Sequence, residues 1–451
     1  MVYITYPAPN KFHQITFEEM MSGNVNTDKL RILGGHNTLT LHLNDVPANL
    51  KGQTSVRKMI ADLQYFVGVY YDTLMPQIKE FEKLSDAQRR SVKQRDKIEN
   101  YFEQMGATAN DEDLQKITEQ VDALQCEVAE QQYKYAYYTF DLRKSSAPEH
   151  IPLWRLPKEY RRTINAPNIH LKNALYELKE LFENMMIRTY HTASFAYVKH
   201  RGTLDAVKRH QSWESKWFAK FDFSDFFGST TIDFVMQQFS QIYPFNMICA
   251  YKDGKEALYK ALQLCFLDGG LPQGTPISPL ITNIMMIPFD HAMSKALKEF
   301  KYPNKHGSER FVYTRYADDL LISCRVDFKV EIIQAFILET LKSMNAPFSL
   351  NVKKTRYGSS AGSNWNLGVM LNKDNKITIG AENKRRLKAS LNSFILDMKN
   401  EKPWDISMVY RLRGQISYYR NVEREATNNI IAAMNTKYGV DAEAMMKSII
   451  S

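Results

Sequence analysis

Two adjacent carboxylates set between two β-prone runs constrain this chain more than any other stretch. Phe311-Val312-Tyr313-Thr314-Arg315-Tyr316 leads in, Ala317-Asp318-Asp319 interrupts, and Leu320-Leu321-Ile322-Ser323-Cys324 leads out. The runs suit strands, and the interruption falls where a tight hairpin turn belongs. Buried strands would hold the two acids rigidly at the rim of a sheet. Acids that close repel each other unless a cation neutralises them. Turn chemistry alone also accounts for an Asp-Asp pair, so the reading depends on what the rest of the chain supplies.

A second acid supplies part of it. Asp222 lies in the aromatic run Trp217-Phe218-Ala219-Lys220-Phe221-Asp222-Phe223. A buried carboxylate is costly unless it is paired or binds a metal, so Asp222 takes the metal role. Asp225, three residues on, takes a structural one, as a cap for the helix that Ser229-Thr230-Thr231-Ile232-Asp233 begins. Between the two acidic elements runs Asp268-Gly269-Gly270-Leu271-Pro272-Gln273-Gly274-Thr275-Pro276-Ile277-Ser278-Pro279-Leu280. A stiff, glycine-bearing loop entering a helix suits close contact with a nucleotide.

At 451 residues the chain has room for two or three domains, or for one multi-lobed enzyme. Its formal charge of +9 suits a polyanionic partner. The distribution says more: from Lys342 to Arg420 there are about 15 basic and about 5 acidic residues. The four cysteines, Cys126, Cys249, Cys265 and Cys324, are far apart, which indicates neither a zinc site nor a disulfide framework and fits a reducing cytoplasm. The first ten residues lack the pattern of a signal peptide, and no apolar run is long enough to span a membrane.

In chain order, Val2–Tyr6 and Thr38–Leu43 are β-prone. Apolar residues recur at helical spacing from Ser55 to Leu84, and Ser85 caps a polar helix that Gly106 stops. Leu114, Ile117, Val121, Leu124 and Val128 have coiled-coil spacing. Residues 55–143 therefore read as a helical hairpin or small bundle within an extension, 1–148, that ends at Ser145-Ser146-Ala147-Pro148. Its roles would be packing on the main body, RNA binding or self-association. Tyr160–Pro167 reads as a strand and Ile169–Met186 as a helix. Ser194–Gly202 reads as a short strand ending in a basic loop, with Lys199 and Arg201 as phosphate contacts. Phe348–Thr355 reads as a strand ending in Lys353 and Lys354. Residues 366–379 read as a small hairpin turning near Asp374-Asn375. From Glu382 the chain is helical and basic.

Taken together, these motifs stand in a definite order: an aspartate in an aromatic strand, a Pro-Gln-Gly loop, a Tyr-Ala-Asp-Asp hairpin, a lysine after a strand, a Leu-Gly hairpin and a basic helical tail. Over roughly residues 155–430 this resembles the reverse transcriptases. The resemblance implies an α+β right-hand polymerase: fingers and a palm with an antiparallel sheet over 149–380, and a helical thumb over 381–451. It makes Asp222, Asp318 and Asp319 the catalytic carboxylates, holding two Mg²⁺ ions (or Mn²⁺ in their place) with the Phe223 backbone carbonyl; Asp319 would support the site rather than bridge both ions. Phe227 matches a steric gate against the ribose 2′-hydroxyl. Gln273 matches the glutamine that touches the incoming dNTP, with Arg162 and Lys172 on the triphosphate and Lys354 able to protonate pyrophosphate. Gly368, after Leu367, resembles the primer grip. Lys384, Arg385 and Arg413 would track an RNA template and its DNA product.

Within the family, Tyr-Ala-Asp-Asp and the compact thumb look bacterial. The retron Asn-Ala-x-x-His element is absent from 234–270, and Ile377-Thr378-Ile379-Gly380 departs from the retron Val-Thr-Gly element. With the long extension, these departures look more like the defence-associated, abortive-infection-like enzymes, acting against phage with a cognate noncoding RNA. The alternatives are a retron enzyme making RNA-linked DNA, protein-primed or template-independent synthesis using the cluster Tyr133, Tyr135, Tyr137 and Tyr138, and a non-catalytic RNA-binding module.

Overall fold

The computed structural model describes residues 2–4, 39–41, 56–92, 119, 123, 134–144, 147–148, 151, 153–185, 190–300, 302–304, 307–361, 365–366 and 368–450. The chain divides into two compact units. The first comprises Met1–Tyr197, Phe223–Ala292 and Leu338–Leu350; the second comprises Val198–Asp222, Met293–Ile337 and Asn351–Ser451.

In the first unit β1 (Val2–Ile4) pairs with β2 (Leu39–Leu41). The helix α1 (Val56–Glu82) buries Met59, Ile60, Leu63, Phe66, Leu74, Ile78 and Phe81, a three-and-four spacing that gives it one apolar face. Ser85 caps α2 (Asp86–Val92): its hydroxyl accepts from the Gln88 amide at 3.3 Å. The coiled-coil seam and the Gly106 stop lie outside the described residues. Next, β3 (Tyr137–Arg143) pairs antiparallel with β4 (Arg161–Pro167), and α3 (Ile169–Met185) follows. Tyr135 and Tyr137 are buried, with their rings against Phe81, so these two members of the tyrosine cluster are core.

The second unit starts with α4 (Thr203–Ser212) and β5 (Trp217–Asp222). The basic loop before α4 forms turns instead of the expected strand, with Tyr197 and His200 at positive φ. The first unit resumes at Phe223 with α5 (Phe226–Ser229), α6 (Ile232–Phe239), α7 (Phe245–Cys249) and α8 (Lys252–Gln263). Thr231, not Asp225, caps α6, accepting from the Phe234 amide. Helix α8 lies against α1; a Cβ at Gly254 would sit 2.9 Å from Ile60, so glycine permits the approach. Helices α9 (Ser278–Met285) and α10 (Ile287–Glu299) come next, with the unit boundary inside α10.

Past α10 come the pair β6 (Tyr302–Asn304) and β7 (Gly307–Glu309), then β8 (Val312–Tyr316) and β9 (Asp319–Cys324). Helix α11 (Val330–Ser343) crosses the unit boundary between Ile337 and Leu338. The expected strand at 348–355 is an isolated bridge, Phe223 with Leu350, and then a 3₁₀ turn over Val352–Lys354. The turn forms because the Asn351 amide is taken by the Asp222 carbonyl (2.8 Å) and the Lys354 amide folds back to the Asn351 carbonyl (3.0 Å).

With β10 (Arg356–Ser359) the second unit has an antiparallel sheet ordered β10-β5-β9-β8. A smaller sheet joins β11 (Trp365–Asn366), β12 (Val369–Leu371) and β13 (Ile377–Thr378). Its second turn lies at Asp374-Asn375, where Asn372 accepts from the Asp374 and Lys376 amides. Last come α12 (Gly380–Lys399), α13 (Ile406–Val422), α14 (Arg424–Tyr438) and α15 (Ala442–Ile450), which share a core of Leu387, Leu391, Phe394, Leu412, Ile416 and Met434.

Candidate active site

The register of the second unit's sheet gathers the acids. Tyr316 pairs with Asp319 across a two-residue turn, Ala317-Asp318, and Asp319 pairs on its other side with Asp222 at the end of β5. Ala317 has φ +56°, the left-handed conformation that tight hairpin turns demand. Beneath the turn Arg315 is completely buried and donates from Nη1 to the Ala317 carbonyl at 3.2 Å. Residues 320–324 of β9 are all buried, so the turn has a rigid base.

Two ammonium groups meet these carboxylates. Lys354 Nζ is 2.9 Å from Asp222 Oδ2, and Lys220 Nζ is 3.0 Å from Asp319 Oδ1. Burial raises the Asp318 pKa, and the charges of Asp319 and Asp222 raise it further. Burial also raises that of Asp319, against the pull of Lys220. The hydrogen bond to Asp222 raises the pKa of Lys354, keeping it protonated. Among the described residues no three His, Cys, Asp or Glu side chains are drawn together tightly enough to hold an ion as they stand. The donor set nevertheless fits a hard divalent cation: Asp222 pairs with Asp319 across the strands, Asp318 lies in the adjoining turn, and the charges of Asp222 and Asp319 raise the Asp318 pKa.

Behind the hairpin, His210 of α4 joins both strands. One ring nitrogen lies 2.5 Å from the Ser323 hydroxyl, the other 2.8 Å from the Thr314 hydroxyl, and Ser323 donates to Ser215 at 2.7 Å. Burial lowers the His210 pKa to about 3.

In the first unit the Pro-Gln-Gly loop is tied at both ends. The Leu271 amide donates to the Phe227 carbonyl and the Asn165 amide to the Gln273 carbonyl, both at 2.9 Å. Gly274 has φ +115°, and a Cβ there would lie 2.6 Å from Ile164, so only glycine fits. Ser278 closes the loop by donating to the Pro272 carbonyl at 3.1 Å. Phe226 is buried, whereas Phe227, edge-on to it, and Gln273 are part-exposed. The Phe223 ring stacks on Phe226 and meets Phe289 edge-on and Phe348 at a tilt in the core. Arg162, on the strand that holds the loop, and Lys172 of α3 are exposed.

The remaining candidates lie in the second unit. Lys199 is exposed; Arg201 is part-buried, its pKa lowered by burial. Gly368 is exposed at φ +85°, beside Tyr418. Arg385 and Arg413 are exposed, whereas Lys384 is engaged by Glu423 at 2.6 Å. Glu423 also accepts from the Ile379 amide (3.0 Å), so Lys384 helps anchor the start of α12.

Sequence reasoning missed Lys220, Arg315 and His210. Lys220 had a usable signal: two residues before Asp222 on a strand, it shares that residue's face. A buried arginine and a bridging histidine have no period or motif to mark them.

A profile described as reverse transcriptase (RNA-dependent DNA polymerase) matches residues 142–381. The Retron Ec73 reverse transcriptase of Escherichia coli is 25% identical over 300 residues, covering 65% of this chain and 88% of that protein. The Retron Ec83 reverse transcriptase of the same organism is 29% identical over 327 residues, 70% of this chain and 94% of that one. The Retron Ec86 enzyme, also from E. coli, is 23% identical over 332 residues, 72% and 90% respectively. These relatives add weight to the retron side of the resemblance, which the missing Asn-Ala-x-x-His element had tipped the other way. The profile covers more than half of the chain, the relatives are covered almost end to end, and so the chain belongs to the reverse transcriptases, RNA-dependent DNA polymerases, with a bacterial retron-like character.

Proposed function

We propose that this enzyme extends a primer with dNTPs on an RNA template, with Asp222 and Asp318 as the residues that would hold the divalent ions. The carrying observation is the register: Asp222 opposite Asp319, with Asp318 in the turn between strands. Two Mg²⁺ ions bound there, or Mn²⁺ in their place, would lower the pKa of the primer 3′-hydroxyl and hold the triphosphate and departing pyrophosphate. Asp319, paired to Lys220, supports the edge. Lys354 stands beside Asp222 as a charged donor and is the residue we assign to proton delivery at pyrophosphate. Phe227 and Gln273 are assigned to the sugar and base side of the dNTP, Arg162 and Lys172 to its phosphates, and Phe223 to a carbonyl ligand. Lys199, Arg201, Gly368, Arg385 and Arg413 are assigned to template and product.

The likeness to retron reverse transcriptases favours the reading in which the product is RNA-linked DNA; a cognate noncoding RNA as template, a cytoplasmic location and a part in antiphage defence belong to the same proposal. The burial of Tyr135 and Tyr137 disfavours those hydroxyls as protein primers.

The test supplies purified protein with Mg²⁺, a primed RNA template and labelled dNTPs. Asp222→Ala and Asp318→Ala should each lower incorporation on the order of a thousandfold or more, and Asp319→Asn by much less. Undiminished DNA synthesis by the Asp318→Ala, Asp319→Ala double variant would overturn the site.

A further inference from the structure

We infer that Arg89, in the N-terminal extension, is a positioning residue for the nucleotide pocket: it clamps the Pro-Gln-Gly loop through Asp268. The inference rests on the assignment of Gln273 and Phe227 to the incoming dNTP and gives the extension a part in that same site.

Arg89 lies on α2 and is 8% exposed. Its Nε donates to the carbonyls of Phe81 (3.2 Å) and Leu84 (3.0 Å), and Nη2 donates to that of Glu82 (2.7 Å). The Phe81 and Glu82 carbonyls belong to the last turn of α1, where the helix has no i+4 amide to offer, and Leu84 lies just past its end; the Phe81 carbonyl also takes the Leu84 amide (3.1 Å). The same guanidinium reaches Asp268 with both terminal nitrogens: Nη1 to Oδ2, and Nη2 to Oδ1 at 2.9 Å. The hydrogen bond to Asp268 raises the already high pKa of Arg89. Glu82 completes the grip by accepting from the Asp268 amide at 2.9 Å. One loop residue is thus held by side chain and backbone together, from an element almost two hundred positions earlier.

Asp268 is where such a grip reaches furthest. It opens the loop at φ +53°, followed by Gly269 at +82°, and Leu267 and Gly270 close that turn with two backbone hydrogen bonds. Gly270 then lies against Gly228: a Cβ would be 2.3 Å from the Gly228 carbonyl oxygen. The next amide, Leu271, donates to the Phe227 carbonyl, and two residues later Gln273 is tied to Asn165. Between the clamp and Gln273 the backbone has little slack, so its direction at Asp268 sets where Phe227 and Gln273 stand relative to each other. A bidentate arginine–carboxylate pair fixes direction as well as distance, which a lysine does not.

The experiment is steady-state incorporation on poly(rA) primed with oligo(dT), with dTTP and UTP as competing substrates, in the full-length protein. Asp268→Asn keeps the side-chain shape, leaves the carbonyl contacts of Arg89 in place, and lies in a half-exposed loop. It should raise the KM for dTTP about tenfold with kcat little changed, and admit more UTP. Arg89→Lys should raise the dTTP KM at least as much, because it also gives up the carbonyl contacts, and the double variant should be no worse than Arg89→Lys alone, because both remove the pair with Asp268. Lys83→Ala, which removes only an exposed ion pair with Glu80, should match the wild type. Unchanged dTTP KM and UTP exclusion in Asp268→Asn overturns the clamp, as does a loss in kcat alone that follows the melting temperature. Gln273→Ala and Phe227→Ala run in parallel. If they respond while the clamp variants do not, the clamp alone falls; if all four are flat, the pocket assignment falls and takes the clamp with it.

Discussion

Asp318 is ionisable in a place that disfavours its charge. Burial, Asp319 and Asp222 raise its pKa, against its own backbone amide and Lys354. The folded protein therefore holds that proton more tightly than the unfolded chain does. The penalty is present above the folded pKa and is relieved as pH falls through it. Asp318→Asn should accordingly raise the melting temperature of metal-stripped protein at neutral pH, and the gain should shrink in acid. Adding Mg²⁺ should stabilise the wild type but not Asp318→Asn, an outcome that scanning calorimetry in EDTA and in Mg²⁺ reads without any substrate. The acids were legible in the sequence because a carboxylate inside an apolar run is chemically anomalous. Lys220 was only half legible: its place two residues before Asp222 marks the shared face, but its partner, Asp319, comes from the strand pairing.

At the scale of elements, β-prone apolar runs and turn chemistry located β5 and the β8–β9 hairpin, and the three-and-four spacing located α1. Two expected strands failed for local reasons. Residues 351–354 curl because the Asp222 backbone takes the Asn351 amide, and the loop before α4 turns because Tyr197 and His200 adopt positive φ. Neither tertiary hydrogen bonds nor isolated backbone conformations leave a periodic trace. The hairpin's attachment to α4 rests on His210. Replacing it with alanine leaves the Thr314 and Ser323 hydroxyls facing a cavity and should cost about 2–4 kcal/mol in denaturant unfolding. Because the folded pKa of about 3 lies below the ordinary value of 6.5, protonation favours the unfolded chain as pH drops from 6.5 towards 3. His210→Gln should flatten that part of the stability–pH curve.

Across the whole molecule, the basic surplus of the final third was plain from counting, but its division of labour was not. Glu423 engages Lys384 and Glu443 engages Arg420, while Arg385 and Arg413 face solvent. Affinity for an RNA–DNA hybrid should fall linearly on a log–log plot against salt, and Arg413→Ala should reduce the slope by about 1; an unchanged slope would remove Arg413 from the phosphate contacts. The two units are also braided in sequence, with the chain passing between them five times. Every segment of the first unit has been made once Leu350 is added, whereas the second still awaits β10 and everything after it. On the ribosome Arg89, Asp268 and all three carboxylates are therefore made before the outer strand β10, and a message truncated after Leu350 encodes Asp222, Asp318 and Asp319 without Lys354, the cation that pairs with Asp222.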